Sequence, residues 1–225
     1  MPRLLQKKRK TRPDWLLPLV CSVFACMGAL ATASYYTGWE RLLHSIAVQY
    51  FPRVLGLTGP APLLQIIRIL SGTPGMALIC SLFAAFVLVA VFAVAAVLRR
   101  LMIALGAGTE LGFYISTTSW ALFWSSVVCA LQHPAAILCG RPPAAADFGS
   151  PMALDLGHLP GADGLSRPLA LFCESLSLTN ATFLSLLCFR TAGIVPAPYR
   201  LQAVMQILLS AGLLAFTGVF VALVF

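Results

Sequence analysis

The chain has 225 residues, of which 60% are hydrophobic and only 10% are charged. Because charged residues make up roughly a quarter of a typical soluble domain, this composition excludes an ordinary soluble fold and predicts an integral membrane protein. The formal net charge is +8, but the sequence has no soluble segment on which basic residues would form one face. This argues against a nucleic-acid-binding protein, and the basic residues are interpreted as a signal of membrane orientation.

Five charge-poor stretches approach the length of a membrane span, which is about 20 predominantly apolar residues. We therefore predict an all-α integral membrane protein, a bundle of five transmembrane helices with an interfacial amphipathic helix between the first and the second. The fourth stretch contains Glu174, and its uncharged part is short for a full crossing. The predicted spans are residues 15–35, 76–98, 111–140, 168–189 and 201–225.

Two segments of the N-terminal part lie outside these spans. Residues 1–14 form a basic segment that we place in the cytoplasm. Residues 36–75 form an external segment in which Leu42, Leu43 and Ile46 recur at helical spacing beside charged side chains. This pattern is typical of a helix that lies in the membrane interface. The other four spans form one membrane region, residues 76–225.

The distribution of basic residues predicts the orientation of the chain in the membrane. With the N-terminus in the cytoplasm, five crossings leave ten of the 15 Lys and Arg residues inside. We therefore predict a multi-pass protein of the inner or plasma membrane with a cytoplasmic N-terminus and an external C-terminus. The alternative is a cleavable signal peptide that ends at the small residues Ala31-Thr32-Ala33. The apolar run continues past Ala33, which favours an uncleaved span.

The most polar run in the apolar part of the chain begins with the letters LGAGTELG. Gly108 and Gly112 form a G-x-x-x-G step there, and Ser116 and Ser119 continue the stripe of small residues along the third span. Gly218 belongs to a similar stripe on the fifth span. Since helices in lipid associate through close approach of small residues and through hydroxyl hydrogen bonds, we predict that these five residues pack helices together.

Three charged residues lie near the ends of predicted spans. Glu110 falls in the first turn of the third helix, where a carboxylate meets the positive end of the helix dipole, so we interpret it as a structural charge. Glu174 and Arg190 lie in or beside the fourth span. Ionisable groups at membrane depth are costly and often functional, so these two residues are candidates for a polar path between helices.

The sequence carries no pattern that indicates catalysis or metal binding. The seven cysteines and three histidines lack the spacing of metal ligands. The nucleophile elbow, the zinc-protease motif and the phosphate-binding glycine loop are all missing. We therefore predict a protein that is not an enzyme and that holds neither a metal nor a cofactor.

Four segments carry a family resemblance: LGAGTELGFYISTTSWALF from Leu105, HPAAIL from His133, MALDLGHLP from Met152 and LFCESLSLTNATFLSLLCFRTAG from Leu171. They resemble the bacterial branch of the Yip family, the five-helix membrane proteins named for their interaction with Ypt/Rab GTPases. The resemblance covers roughly residues 76–225 and implies the five-helix fold. It implies a role in membrane traffic through protein partners for eukaryotic relatives, and no established reaction for bacterial ones.

Two functions follow as hypotheses. The first is a non-enzymatic, Yip-like membrane protein that binds protein partners or organises the membrane through its helix faces. Its partners would be the lipid bilayer and either another membrane protein or a second copy of the chain. The second is a small transporter, or a transporter subunit, with a polar path near Glu174 and Arg190. Transporters place ionisable groups near the midplane, whereas these groups lie near the ends of spans, which favours the first hypothesis.

Overall fold

Seven α-helices and one short 3₁₀ helix are described in the computed structural model. The structure describes residues 14–50, 60–106, 109–139, 173 and 176–224, and for residues 45–50, 60–64 and 214–224 it describes the backbone alone. No β-strand occurs in these ranges. The α-helices are α1 (Leu16–Thr37), α2 (Trp39–Tyr50), α3 (Pro60–Leu70), α4 (Thr73–Ala104), α5 (Leu111–Leu138), α6 (Leu178–Ala192) and α7 (Arg200–Val224), and the 3₁₀ helix is Ala197–Tyr199.

Three of the described helices, α1, α4 and α5, are long and apolar enough to cross a membrane. This confirms the helical fold class and supports the prediction of a membrane protein. α6 has 15 residues, about 22 Å at 1.5 Å per residue, whereas the hydrocarbon core of a bilayer is about 30 Å thick. α7 has 25 residues, and side chains are described for only its first half.

α5 is the central helix of the bundle, since it packs against α1, α4 and α6. α1 runs parallel to α5, because two contacts occur in the same order along both helices. Cys26 of α1 contacts Ser126 of α5, and Tyr36, further along α1, lies against His133, further along α5. α6 returns antiparallel to α5 and packs against α7. The main buried cluster joins five helices at one end of the bundle, with Leu98, Met102, Tyr114, Leu187 and Ile207 among its members.

At the opposite end, α2 and α3 pack beside the ends of α1 and α4. Gly38 joins α1 to α2 with a φ of 80°, a left-handed conformation that glycine adopts without steric cost. The Trp39 indole nitrogen donates to the Leu70 carbonyl at 3.4 Å, and Leu42 is buried against the end of α1. The segment for which we predict one amphipathic helix therefore forms two described helices.

Two helix boundaries differ from the predicted spans for identifiable reasons. α4 continues past Arg99 and Arg100 to Ala104, because the side chains of both arginines are exposed while Met102 is buried in the core. α6 begins at Leu178, and residues 168–172, where the predicted fourth span begins, lie outside the described residues. Ser177 has extended backbone angles, and its hydroxyl accepts a hydrogen bond from the Asn180 backbone nitrogen, which caps the helix there.

Candidate functional site

Four polar side chains project from one half of α5 into the bundle. Ser126, Cys129, Gln132 and His133 follow at intervals of three, three and one residues, which places them on one face of a helix with 3.6 residues per turn. All four are buried, and His133 is 1% exposed. We call these four residues the polar cluster.

Each member of the polar cluster contacts a neighbouring element or its own helix. The Cys26 and Ser126 side chains meet at 3.1 Å between α1 and α5. Gln132 donates from its amide nitrogen to the Thr179 hydroxyl of α6 at 3.1 Å. Nδ1 of His133 lies 3.1 Å from the Cys129 carbonyl and therefore carries the proton that it donates. The polar cluster thus joins α1 and α6 to the central helix.

The start of α6 lies against this cluster. Ser177, the capping residue, is 4% exposed, and Thr179 in the first turn receives the hydrogen bond from Gln132. Non-helical backbone at membrane depth is tolerated only where protein or water covers it. The Gln132 carbonyl oxygen is buried and has no hydrogen-bond partner within the described ranges. The site therefore has one unused acceptor beside a buried helix start.

An open groove of about 510 Å³ runs between α5 and α6 on the outer surface of the bundle. Its walls are mainly apolar, and the exposed small side chains of Ala181 and Ser185 lie between larger ones. The Trp124 side chain is 50% exposed at its edge. The residues that line this α5–α6 groove are Trp124, Val128, Leu178, Ala181, Thr182, Ser185 and Leu186.

Basic side chains lie at the end of the bundle opposite to the polar cluster. Arg190 is half-buried in the last turn of α6 and makes no ion pair with any described carboxylate. Arg200, at the start of α7, donates from Nε to the Val195 carbonyl at 3.3 Å. Arg99 and Arg100 are exposed near the end of α4. Four arginines therefore lie at one end of the described bundle, where the exposed carboxylates Asp14 and Glu110 also lie.

The polar groups of the described bundle lie in contacts between helices. Among the described residues, no three His, Cys, Asp or Glu side chains are close enough to hold a metal ion. The thiol, hydroxyl, amide and imidazole groups contact one another across helix interfaces, and the groove faces outward.

Comparisons of this chain with protein-family models, with curated proteins and with solved structures find no match. The resemblance to the Yip family stays a prediction.

The residues predicted to pack helices are only partly placed by the structure. Ser119 is fully buried in α5, and Gly112 and Ser116 are half-buried on the same helix. Gly108 lies outside the described residues, and Gly218 lies in the part of α7 described by backbone alone. The small residues of α5 therefore lie inside the bundle, and the packing role of the set stays a prediction.

The charged candidates fall in different places. Glu110 is exposed at the residue before α5, where its side chain makes no capping hydrogen bond. Arg190 lies in the last turn of α6, and Glu174 is outside the described residues, so the polar path through these two residues is not tested. The structure describes no contact between the charged candidates.

Sequence reasoning did not identify the polar cluster or the α5–α6 groove. The cluster has a signal in the sequence, since Ser126, Cys129 and His133 recur at helical spacing in a span without charges. The groove has a weaker signal in the sequence. Ala181 and Ser185 are small, but they form part of an outward-facing groove only if α6 packs with that side toward lipid. The packing of α6 against α5 determines which side of α6 faces outward, and the sequence pattern of α6 alone does not predict that packing.

Proposed function

We propose that this chain is a non-enzymatic, Yip-like multi-pass membrane protein that binds other membrane components, or organises the bilayer, through its helix faces. The observation that carries the proposal is the α5–α6 groove. Large apolar side chains normally cover a lipid-facing surface, as Leu82, Phe86 and Val89 do on α4. Exposed small residues such as Ala85 also occur on α4, but Ala181 and Ser185 lie in a groove between two helices. Small side chains there permit the close approach on which association in lipid depends.

We further propose five crossings of an inner or plasma membrane, with the N-terminus in the cytoplasm and the C-terminus outside. Arg99, Arg100, Arg190 and Arg200 support this orientation, because they lie at the end of the bundle where α1 begins. In this arrangement α6 and α7 form the fourth and fifth crossings, and the polar cluster lies toward the external side.

A photocrosslinking experiment in the native membrane tests the groove. A benzoylphenylalanine residue replaces Ser185 in the groove or, as a matched control, Ser81, an exposed serine on α4. We expect a discrete adduct with a protein, a second copy of the chain or a lipid species at position 185, and only diffuse bulk-lipid adducts at position 81. Identical adduct patterns at the two positions would contradict the proposal.

The transporter hypothesis keeps one specific observation in its favour. Transporters use discontinuous helices whose ends lie inside the protein. α6 begins at a buried cap beside the unpaired Gln132 oxygen, which resembles such a helix end. A cysteine placed at Glu174 tests this second candidate. Labelling of that cysteine by a membrane-impermeant thiol reagent, with protection by an added solute, would favour transport over partner binding.

A further inference from the structure

Arg190 lies one helical turn beyond Leu186, the last lining residue of the α5–α6 groove on α6, and on the side of α6 that faces α5. Thr179 marks that side, because it accepts the hydrogen bond from Gln132 of α5. Leu186, seven residues later, lines the groove together with Trp124 of α5. Arg190 follows one turn after Leu186, and residues at these spacings share a helix face. A guanidinium group therefore follows the groove within one helical turn, beside the exposed Phe189.

The charge of Arg190 has no partner within the described part of the protein. Its side chain is half-buried, and no described carboxylate pairs with it. A guanidinium group binds phosphate through two parallel hydrogen bonds, and a partly desolvated one gains more from such a partner than an exposed one does. The end of the groove thus has the chemistry of a phosphate-binding group.

The length of this surface matches one leaflet of a bilayer. From Arg190 to Leu178 the helix covers twelve residues, about 18 Å at 1.5 Å per residue. One leaflet contributes about half of the 30 Å hydrocarbon core, or roughly 15 Å. In the orientation proposed above, Arg190 lies toward the cytoplasmic side and the groove extends from it toward the midplane.

We propose that the α5–α6 groove binds an anionic phospholipid of the cytoplasmic leaflet, with the lipid phosphate on Arg190 and one acyl chain between Trp124 and Ser185. The inference rests on the proposed function of the groove and names its occupant. A cation at one end and an apolar surface along the rest form a complement to an amphiphile with a negative headgroup. Anionic lipids are also drawn to basic residues at the cytoplasmic surface.

Fluorescence quenching of Trp124 tests this occupant. The full-length protein keeps Trp124, and Trp15, Trp39 and Trp120 are replaced by phenylalanine. It is placed in phosphatidylcholine vesicles that contain a low mole fraction of either brominated phosphatidylglycerol or brominated phosphatidylcholine. We expect phosphatidylglycerol to associate with the groove about fivefold more strongly, which corresponds to ~1 kcal/mol for one basic residue near the surface.

The variant R190Q should reduce this preference to about one, while R190K should keep part of it because it keeps the charge. R100Q is the matched control, since it removes an exposed arginine near the same end of α4, and it should leave the preference unchanged. Helix content measured by circular dichroism checks that each variant is folded.

Equal quenching by the two lipids in the parent protein would overturn the inference, and so would an equal loss of preference in R100Q and R190Q. These results are distinct from a failure of the proposed function. A discrete protein adduct at position 185 together with equal quenching would support a groove that binds a protein and would overturn the lipid assignment. Identical adduct patterns at positions 185 and 81 would remove both proposals.

Discussion

Gln132 illustrates how a polar residue is held inside this bundle. Its amide nitrogen donates to Thr179, while its carbonyl oxygen is buried and has no hydrogen-bond partner within the described ranges. Hydrogen bonds between membrane helices contribute only about 0.6 kcal/mol on average. Leaving a buried acceptor unpaired costs roughly 1–3 kcal/mol. The residue therefore contributes volume to the interface more than it contributes hydrogen bonding.

Two substitutions separate these contributions. Q132L keeps most of the volume and removes the unpaired oxygen, so we expect the free energy of unfolding to stay within about 1 kcal/mol of the parent value. Q132A leaves a cavity and should lower it by about 2 kcal/mol or more. Reversible unfolding in detergent, followed by circular dichroism, measures both values. A loss in Q132L as large as that in Q132A would mean that the amide hydrogen bond stabilises the interface.

Individual residues of the site could be only partly predicted from the sequence. The helical spacing of Ser126, Cys129 and His133 makes a shared polar face visible in advance. The partners Cys26 and Thr179 are not visible, because they come from segments 100 and 47 residues away. Residues this far apart meet only through the packing of whole helices, and helical periodicity does not encode that packing.

Among the elements, the corner between α3 and α4 has the tightest described glycine. A Cβ atom on Gly75 would lie 2.5 Å from the Leu70 Cα and 2.6 Å from the Leu70 carbonyl oxygen. Both are backbone atoms, so the corner itself would have to open. Glycine at position 75 thus allows α3 to end directly against the first turn of α4.

We expect G75A to lower the free energy of unfolding by about 1–3 kcal/mol, the usual cost of overpacking. G28A, in an exposed position of α1 with no atom within 4 Å of the added methyl group, is the matched control. It should raise stability by up to about 1 kcal/mol, because alanine favours the helix more than glycine does. The midpoint of thermal unfolding in one detergent compares the two. Equal unfolding midpoints for G75A and G28A would show that the corner between α3 and α4 accommodates the added methyl group without loss of stability.

The elements themselves were predictable to different degrees. Long charge-free runs predict α1, α4 and α5, because the bilayer requires about 20 apolar residues whatever the tertiary context. The start of α6 was not predicted, since Ser177 caps a helix inside an apolar run. A serine in such a run is equally compatible with a helix interior, so only the backbone geometry identifies the cap.

For the molecule as a whole, the orientation of α6 and α7 is the decisive property of the five-span proposal. Labelling of single cysteines, introduced into a variant without the seven native cysteines, measures this orientation. Exposed positions Thr73 and Glu110 serve as the external and cytoplasmic references, and Ala197, between α6 and α7, is the test position. We expect Ala197→Cys to react with an impermeant reagent only after permeabilisation, as Glu110→Cys does. External labelling at residue 197 would mean that α6 does not cross the membrane and would contradict the five-span proposal.

The composition and the charge-free runs predict a helical membrane protein, and the structure agrees with three helices of sufficient length. The number of crossings depends on segments such as α6, whose 15 residues fall below the length that composition alone can assign. Charge bias predicts the orientation but not which helix faces meet lipid, because both faces of a span are apolar.

The difference in length between α4 and α6 has a consequence for the membrane around the protein. In α4 the 26 residues before Arg99 carry no charge, and α6 has 15 residues, which correspond to about 39 Å and 22 Å at 1.5 Å per residue. Lipids beside α6 would meet a hydrophobic surface thinner than an average bilayer, and lipids beside α4 would meet a thicker one. Such mismatch deforms the bilayer at a cost of fractions of a kcal/mol per Å. The two sides of the molecule would therefore favour membrane regions of different thickness, and the protein would settle where they adjoin.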